Sequence, residues 1–208
     1  MERSFFDRSA TVVAPELLGC VLSHETGEGL VAVELTEVEA YMGEADPPSH
    51  AYRGKTARNA VMFGPPGYAY VYFTYGMHFC VNLVCMPSGT ASAVLLRAGR
   101  VVAGEELAAK RRNAVSAGPK LASGPARLCQ ALGIGREQNG ADVCAGEGML
   151  RITSGHLRYD GVVKTGPRVG VSSGAEVPWR YWIAGEPSVS AYRAHMPRNR
   201  KPVTARAG

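Results

Sequence analysis

Residues 33–50 read VELTEVEAYMGEADPPSH, an alternating strand that runs out into a proline-containing loop. Successive side chains of a strand point to opposite faces. Over 31–41, one face therefore carries Val31, Val33, Leu35, Glu37, Glu39 and Tyr41, and the other Ala32, Glu34, Thr36, Val38 and Ala40. A face that begins apolar thus ends in two carboxylates and a tyrosine. Burying a carboxylate is expensive unless something pairs it or uses it. Two readings follow. Either the register bulges and the acids turn to solvent, or one of them stands partly desolvated at a pocket floor, suited to act as a general base. Spacing does not choose between Glu37 and Glu39. His50 lies in the loop beyond, as a surface histidine or as one that reaches back over the strand end.

Outward from this stretch, residues 14–19 read as a short helix with Pro15 near its start. Residues 19–24 and 29–41 read as strands joined by a turn at 25–29. The loop 42–66 is rich in Gly, Pro and charge, and loops of this length in a domain are often functional. YAYVYFTYGMHFCVNLVC (68–85) is strongly strand-like. Its first half places Tyr68, Tyr70 and Tyr72 on one face, with Val71, Phe73 and Tyr75 on the other. Beyond Gly76, Met77, Phe79, Val81 and Leu83 make an apolar face opposite His78, Cys80 and Asn82. Tyr75-Gly76 sits where two strands would meet, as a hairpin tip. The alternatives are a continuous core strand with Tyr75 packed inside, or a turn tyrosine lying on the surface. An aromatic at an exposed tip has no core to fill, and proteins that act on bases insert side chains into the stack.

Residues 92–98 form another apolar strand that ends in Arg97. Residues 104–112 and 123–132 read as helices, with Ser123 as N-cap and Gly133 as the stop. Shorter strands are expected near 149–153, 168–172 and 180–184. The reading is a mixed α/β (α+β) fold. A single domain, residues 1–194, surrounds a curved, mainly antiparallel sheet with a protruding β-hairpin. Residues 195–208 form a basic, flexible tail.

The 208 residues are enough for one domain with a full core. Apolar residues make up 46% and charged ones 20%, the balance of a globular chain. No apolar run approaches the ~20 residues that span a bilayer, and no signal-like segment is seen, so a cytoplasmic monomer without membrane contact is expected. The five cysteines include no CxxC pair. His78, Cys80 and Cys85 invite a zinc reading, but on a strand Cys85 faces away from the other two. Buried free thiols, with no metal and no cofactor, are the expectation. The formal net charge of +5 is compatible with an acidic polymer as partner. Basic residues cluster at Arg53, Lys55 and Arg58, at Lys110, Arg111 and Arg112, and in the tail at Arg198, Arg200, Lys201 and Arg206. The alternative is scattered, solvated charge. A buried acid, tyrosines for stacking on a flat ring and a basic chain together point to an enzyme that handles a flipped nucleobase.

At these residues the sequence resembles the alkyladenine type of 3-methyladenine DNA glycosylase. The resemblance is carried by TEVEAY (36–41), SH (49–50), GKTARNAVMFGPPGYAYVYFTYGMHFCVN (54–82), VLLRA (94–98), SGPARLCQALGI (123–134), RVGVS (168–172) and GEPSVS (185–190), with Trp179 and Trp182. It covers about residues 4–192. It implies that Glu39 is the catalytic base, that Tyr41, His50 and Tyr72 line the base pocket, and that Tyr75 is the wedge entering the minor groove. Asn82 would stand on the pocket wall, against the 2-amino group of normal guanine. Arg97 would belong to the polar surroundings of the base pocket. His78 stands where some relatives carry tyrosine. The implied partner is double-stranded DNA containing damaged purines, and the implied product is an abasic site. No Schiff-base lysine is identified in the core motifs, so strand cleavage is not expected. Two other readings remain: a non-catalytic nucleic-acid-binding module on the same fold, and a glycosidase for free nucleosides.

Overall fold

The centre of the fold is the 13-residue strand that contains the quoted stretch. In a computed structural model describing residues 1–114, 118–146, 148–155 and 162–196, β2 (Gly29–Tyr41) is paired on both sides. On one side it meets β5 (Ala93–Ala103). On the other it meets β1 (Val21–Thr26) along its first half and β9 (Arg180–Ile183) at Glu37–Glu39. The hairpin β3 (Ala69–Thr74) and β4 (His78–Val84) adds to β5, and β7 (Leu150–Thr153) adds to β1. Two short strands, β6 (Ala122–Ser123) and β8 (Val163–Gly166), pair with β5 and β9. Every pairing is antiparallel, and the nine strands form one curled sheet. The expected fold class, with its projecting hairpin, is the one observed.

The alternation of β2 does not run through as a plain strand would have it. Leu35 pairs with Gly99 but Glu37 pairs with Ala98, which leaves Thr36 as an extra residue on β2. Val38 then pairs with Leu96, which leaves Arg97 extra on β5 and restores the register. Each bulge reverses the phase of the side chains. The main core accordingly takes Val31, Val33 and Leu35 before the bulge, then Val38 and Ala40 after it. Glu37, Glu39 and Tyr41 are thereby carried to the opposite face. The bulge anticipated from the sequence is present, yet the acids it turns are buried, not solvated.

Helices cover the core face. α1 (Arg3–Phe6) buries Phe6, and α2 (Ala10–Leu17) packs Ala10, Val13, Ala14 and Leu17 on the sheet. The expected helix at 14–19 therefore begins earlier, because Ser9 caps it: its side chain accepts the Thr11 N–H. Pro15 is interior. It has no N–H for the Thr11 carbonyl, and the Tyr181 hydroxyl donates to that oxygen at 3.4 Å. α3 (Glu105–Arg111) and α4 (Pro125–Leu132) follow β5. Gly124, with φ 105°, caps α4 in place of the expected Ser123. Pro125 disfavours a helical residue before it, and Ser123 is drawn into the ladder opposite Ala98. Gly133 ends the helix in the left-handed region as expected, at φ 69°.

The other sheet face carries a second apolar cluster built from Ala51, Met62, Phe63, Tyr70, Val84, Ala91 and Ala93. This cluster organises the loop 42–66. Gly43 turns the chain after β2 at φ 60°, where any Cβ would strike the Ala91 carbonyl. Buried Asn59 then ties the loop together, donating to the carbonyls of His50 (2.9 Å) and Gly54 (3.1 Å). The expected strand at 168–172 is absent. Gly170 has φ 70°, and the Val169 N–H is engaged by a side chain instead of a ladder. Of the expected basic tail, residues 197–208 lie outside the described residues.

Candidate active site

The bulged end of β2 delivers Glu37 and Glu39 into a cluster of buried charge, and their partners differ. Glu37 is fully buried. One of its oxygens accepts from Arg97 Nε (3.1 Å) and Arg180 Nε (2.6 Å), the other from the Ser190 N–H (2.7 Å). Two guanidiniums and an amide make it the anchor of the segment that contains Ser190. Thr36 adds a hydrogen bond to Ser188 at 2.8 Å. Glu39 is also fully buried, but has one cation, Arg97, at 3.3 Å. Its Oε1 accepts the Val169 N–H at 2.8 Å and its Oε2 accepts the Tyr41 hydroxyl at 2.9 Å. Burial, then the Glu39 charge, push the Tyr41 phenol well above its ordinary range, which keeps it a neutral donor.

Tyr41 connects the acid to a pocket. Its walls are Tyr41, Pro48, Ser49, His50, Met62, Tyr70, Tyr72 and Asn82. Tyr70 and Tyr72, two apart on β3, stack with their rings 5.5 Å apart and 27° between planes. His50 stands edge-on to Tyr72 at 4.4 Å, and its Nδ1 is hydrogen-bonded to the Tyr70 hydroxyl at 3.0 Å. Burial lowers the His50 pKa from its usual value, and Arg58 lowers it further, so the imidazole is neutral at pH 7. Burial raises the Tyr72 phenol strongly. Asn82 is buried on β4 across from Tyr70, whose carbonyl it meets at 3.3 Å. The result is a slot with flat aromatic walls and a few fixed polar groups, the composition of a site for a planar, polar ring.

The four expected wall residues Tyr41, His50, Tyr72 and Asn82 thus meet in one pocket. Arg97 does not line it. As the extra residue of the β5 bulge, it turns its guanidinium between Glu37 and Glu39. Glu39 sits behind Tyr41 and not on the wall. Tyr75 stands apart at the hairpin tip, 82% exposed, with φ 52° next to Gly76 at φ 70°. The tip is a true turn, so the continuous-strand alternative is excluded.

Sequence reading passed over three contributors. Tyr70 was on the tyrosine face and could have been singled out from alternation alone. Asp46 and Arg168 carried no such signal. Fully buried Arg168 makes a double ion pair with Asp46 (2.6 and 2.8 Å), bonds the Ala40 carbonyl (3.0 Å) and lies over the Tyr41 ring at 4.7 Å. Among the described residues, no group of three or more His, Cys, Asp or Glu side chains is disposed to hold a metal ion. Cys20, Cys80, Cys85 and Cys129 are buried free thiols, and Cys144 is half-buried. No helix among the described residues is long and apolar enough to cross a membrane.

A curled antiparallel sheet with a buried acid behind an aromatic slot defines an enzyme-like site for a flat heterocycle, and comparison with known proteins gives its class. The sequence model of the family Methylpurine-DNA glycosylase matches residues 4–187, and the chain belongs to that family. A relative from Streptomyces avermitilis is 55% identical over 203 residues, covering 97% of this chain and 95% of its own. One from Leifsonia xyli is 54% identical over 201 residues, covering 93% and 92%. One from Frankia casuarinae is 49% identical over 200 residues, covering 91% of each. All three carry the name "Putative 3-methyladenine DNA glycosylase". The family makes the chain a DNA-repair glycosylase, with DNA as its substrate.

Proposed function

We propose that the protein is a monofunctional glycosylase that excises alkylated or deaminated purines from duplex DNA and leaves an abasic site. The observation that carries this reading is the position of Glu39: a buried carboxylate bonded directly to a wall of the aromatic slot. The damaged base turns out of the helix and enters between Tyr41, His50 and Tyr72, while Tyr75 fills the gap in the stack. Asn82, on the slot wall, opposes the 2-amino group of normal guanine.

Glu39 then takes a proton from a water as the water oxygen bonds to C1′. The C1′–N bond breaks and its electron pair leaves with the base. The transition state carries positive charge on the sugar, which the carboxylate stabilises. A base methylated on N3 or N7 departs as a neutral molecule, so its release needs no acid. Among the described residues the slot is lined by no lysine, and Lys55 is exposed on the loop, which supports hydrolysis without a Schiff base. Glu37 supports the assignment by contrast, since two arginines compensate its charge and its bonds run to Ser190 and Arg180 instead of the slot.

The excision domain spans residues 1–194 in this reading. Contacts near its end support that boundary: the Gly170 N–H donates to the Arg193 carbonyl at 2.9 Å, and Arg180 lies 5.8 Å from the Tyr192 ring. The protein acts as a monomer in the cytoplasm.

The test is single-turnover base release from duplexes carrying hypoxanthine or ethenoadenine, and from methylated DNA, for the parent and Glu39→Gln. The variant is expected to lose about 10²–10⁴-fold in rate while still binding duplex. Binding without release by the folded parent on all three substrates would leave a DNA-binding module instead of an enzyme.

A further inference from the structure

Arg168 is the largest of the fully buried side chains, yet it sits in no helix or strand. Its guanidinium makes two bonds to Asp46 and one to the Ala40 carbonyl, and lies over the rings of Tyr41 (4.7 Å) and Trp179 (5.2 Å). Its Nε is the one buried side-chain nitrogen or oxygen among the described residues without a hydrogen-bond partner. A buried ion pair is weak evidence of stabilisation, because desolvation offsets the attraction, and an orphaned N–H adds to the cost. Something other than stability is therefore gained by having an arginine here.

What it touches indicates the gain. Asp46 also accepts the Met42 N–H (3.1 Å), so the Arg168 fork fixes the first turn of the loop that carries His50. The ring it backs is Tyr41, whose hydroxyl bonds Glu39. The residue after it, Val169, donates its N–H to the other oxygen of Glu39. One planar fork thus sets three things at once: a pocket wall, the loop that follows that wall in the chain, and the Val169 amide that holds one oxygen of the carboxylate.

We propose that Arg168 is a positioning residue for base release, holding Tyr41 and the Val169 amide in register with Glu39 through its paired bonds to Asp46. It never touches DNA. The inference rests on the reading of Glu39 as the base. Lysine keeps the charge but cannot make the fork, so Arg168→Lys is the informative substitution. Its single-turnover rate should fall about 10–100-fold with duplex affinity unchanged, the loss typical of misplaced supporting groups.

A second variant guards against misfolding. Arg168→Met combined with Asp46→Asn removes both buried charges. It should unfold at a temperature equal to or above the parent's, yet release base as slowly as Arg168→Lys. Both variants are compared with the parent and Glu39→Gln in one series, with thermal melts confirming the fold. If either folded variant releases base within twofold of the parent, or slows only in proportion to its unfolded fraction, the positioning role is overturned. Release that survives Glu39→Gln would instead overturn the assignment of the base, and the two failures are distinguishable.

Discussion

The two glutamates at the end of β2 look equivalent in sequence and are not equivalent in space. Glu37 binds two arginines and an amide, and serves to clamp residues near Ser190 against the sheet. Glu39 shares one of those arginines and is otherwise held by neutral donors. Only the second arrangement ties the carboxylate to a wall of the slot, through the Tyr41 hydroxyl. His50 illustrates the same dependence on surroundings. Burial, with Arg58 adding to it, holds its pKa below the usual 6.5. A group depressed in this way binds its proton more readily in the unfolded chain. Its contribution to stability is complete above pH 6.5 and is lost as pH falls through the lower folded value. An NMR titration of the imidazole should therefore give a midpoint below 6.5, moving upward in Arg58→Gln. A midpoint at or above 6.5 in the parent would mean that the slot is more hydrated than its packing implies.

At the scale of elements, the paired bulges of β2 and β5 and the turn of the hairpin set the geometry. The first hands the acids to the face opposite the main core. The second places a tyrosine where it gains nothing from folding. Left-handed backbone costs a bulky L-residue roughly 1–2 kcal/mol, and asparagine tolerates it far better. Tyr75 is 82% exposed, so packing by the described residues offsets little of that cost. Tyr75→Asn should accordingly raise stability by up to about 1 kcal/mol in urea unfolding. It should also slow base release from duplex DNA, where a wedge must hold the stack open. Unchanged release would show that the aromatic ring is not the wedge.

Across the whole molecule, the net charge of +5 is distributed unequally in its availability. The basic run at 110–112 is largely committed internally. Arg111 donates to the Leu132 carbonyl at the end of α4 and to Thr26, and it pairs with Glu28, as does Lys110. Arg112 donates to Leu121 and Gln130. Arg53, Lys55 and Arg58 are exposed on the loop that carries His50, and Arg58 is close enough to act on the titration of His50 and Tyr70. We expect these exposed cations to be among those that meet phosphates. If about five phosphates are neutralised, the logarithm of duplex affinity should fall with the logarithm of salt at a slope of roughly −4.5. Titrating affinity against salt tests this, and a slope near zero would remove phosphate contact as the basis of binding.

The sequence alone determined what depends on neighbours along the chain: the alternation of the strands, the stop at Gly133, and the two-residue spacing that keeps Glu37, Glu39 and Tyr41 on one side of β2; it offered a turn at Tyr75-Gly76 as one of several readings, and the φ values of the folded chain chose it. Its resemblance to a family also singled out Glu39. It did not reveal which side of the sheet that was, because one extra residue at Thr36 reverses every side chain after it, and a bulge depends on the partner strand. Nor did it separate the two acids by pattern, since their difference lies in Arg180, Ser190 and Val169, and Val169 is 130 residues from Glu39 in the chain. Burial and pairing set the properties of a carboxylate, and both are decided by residues that only the tertiary fold brings near.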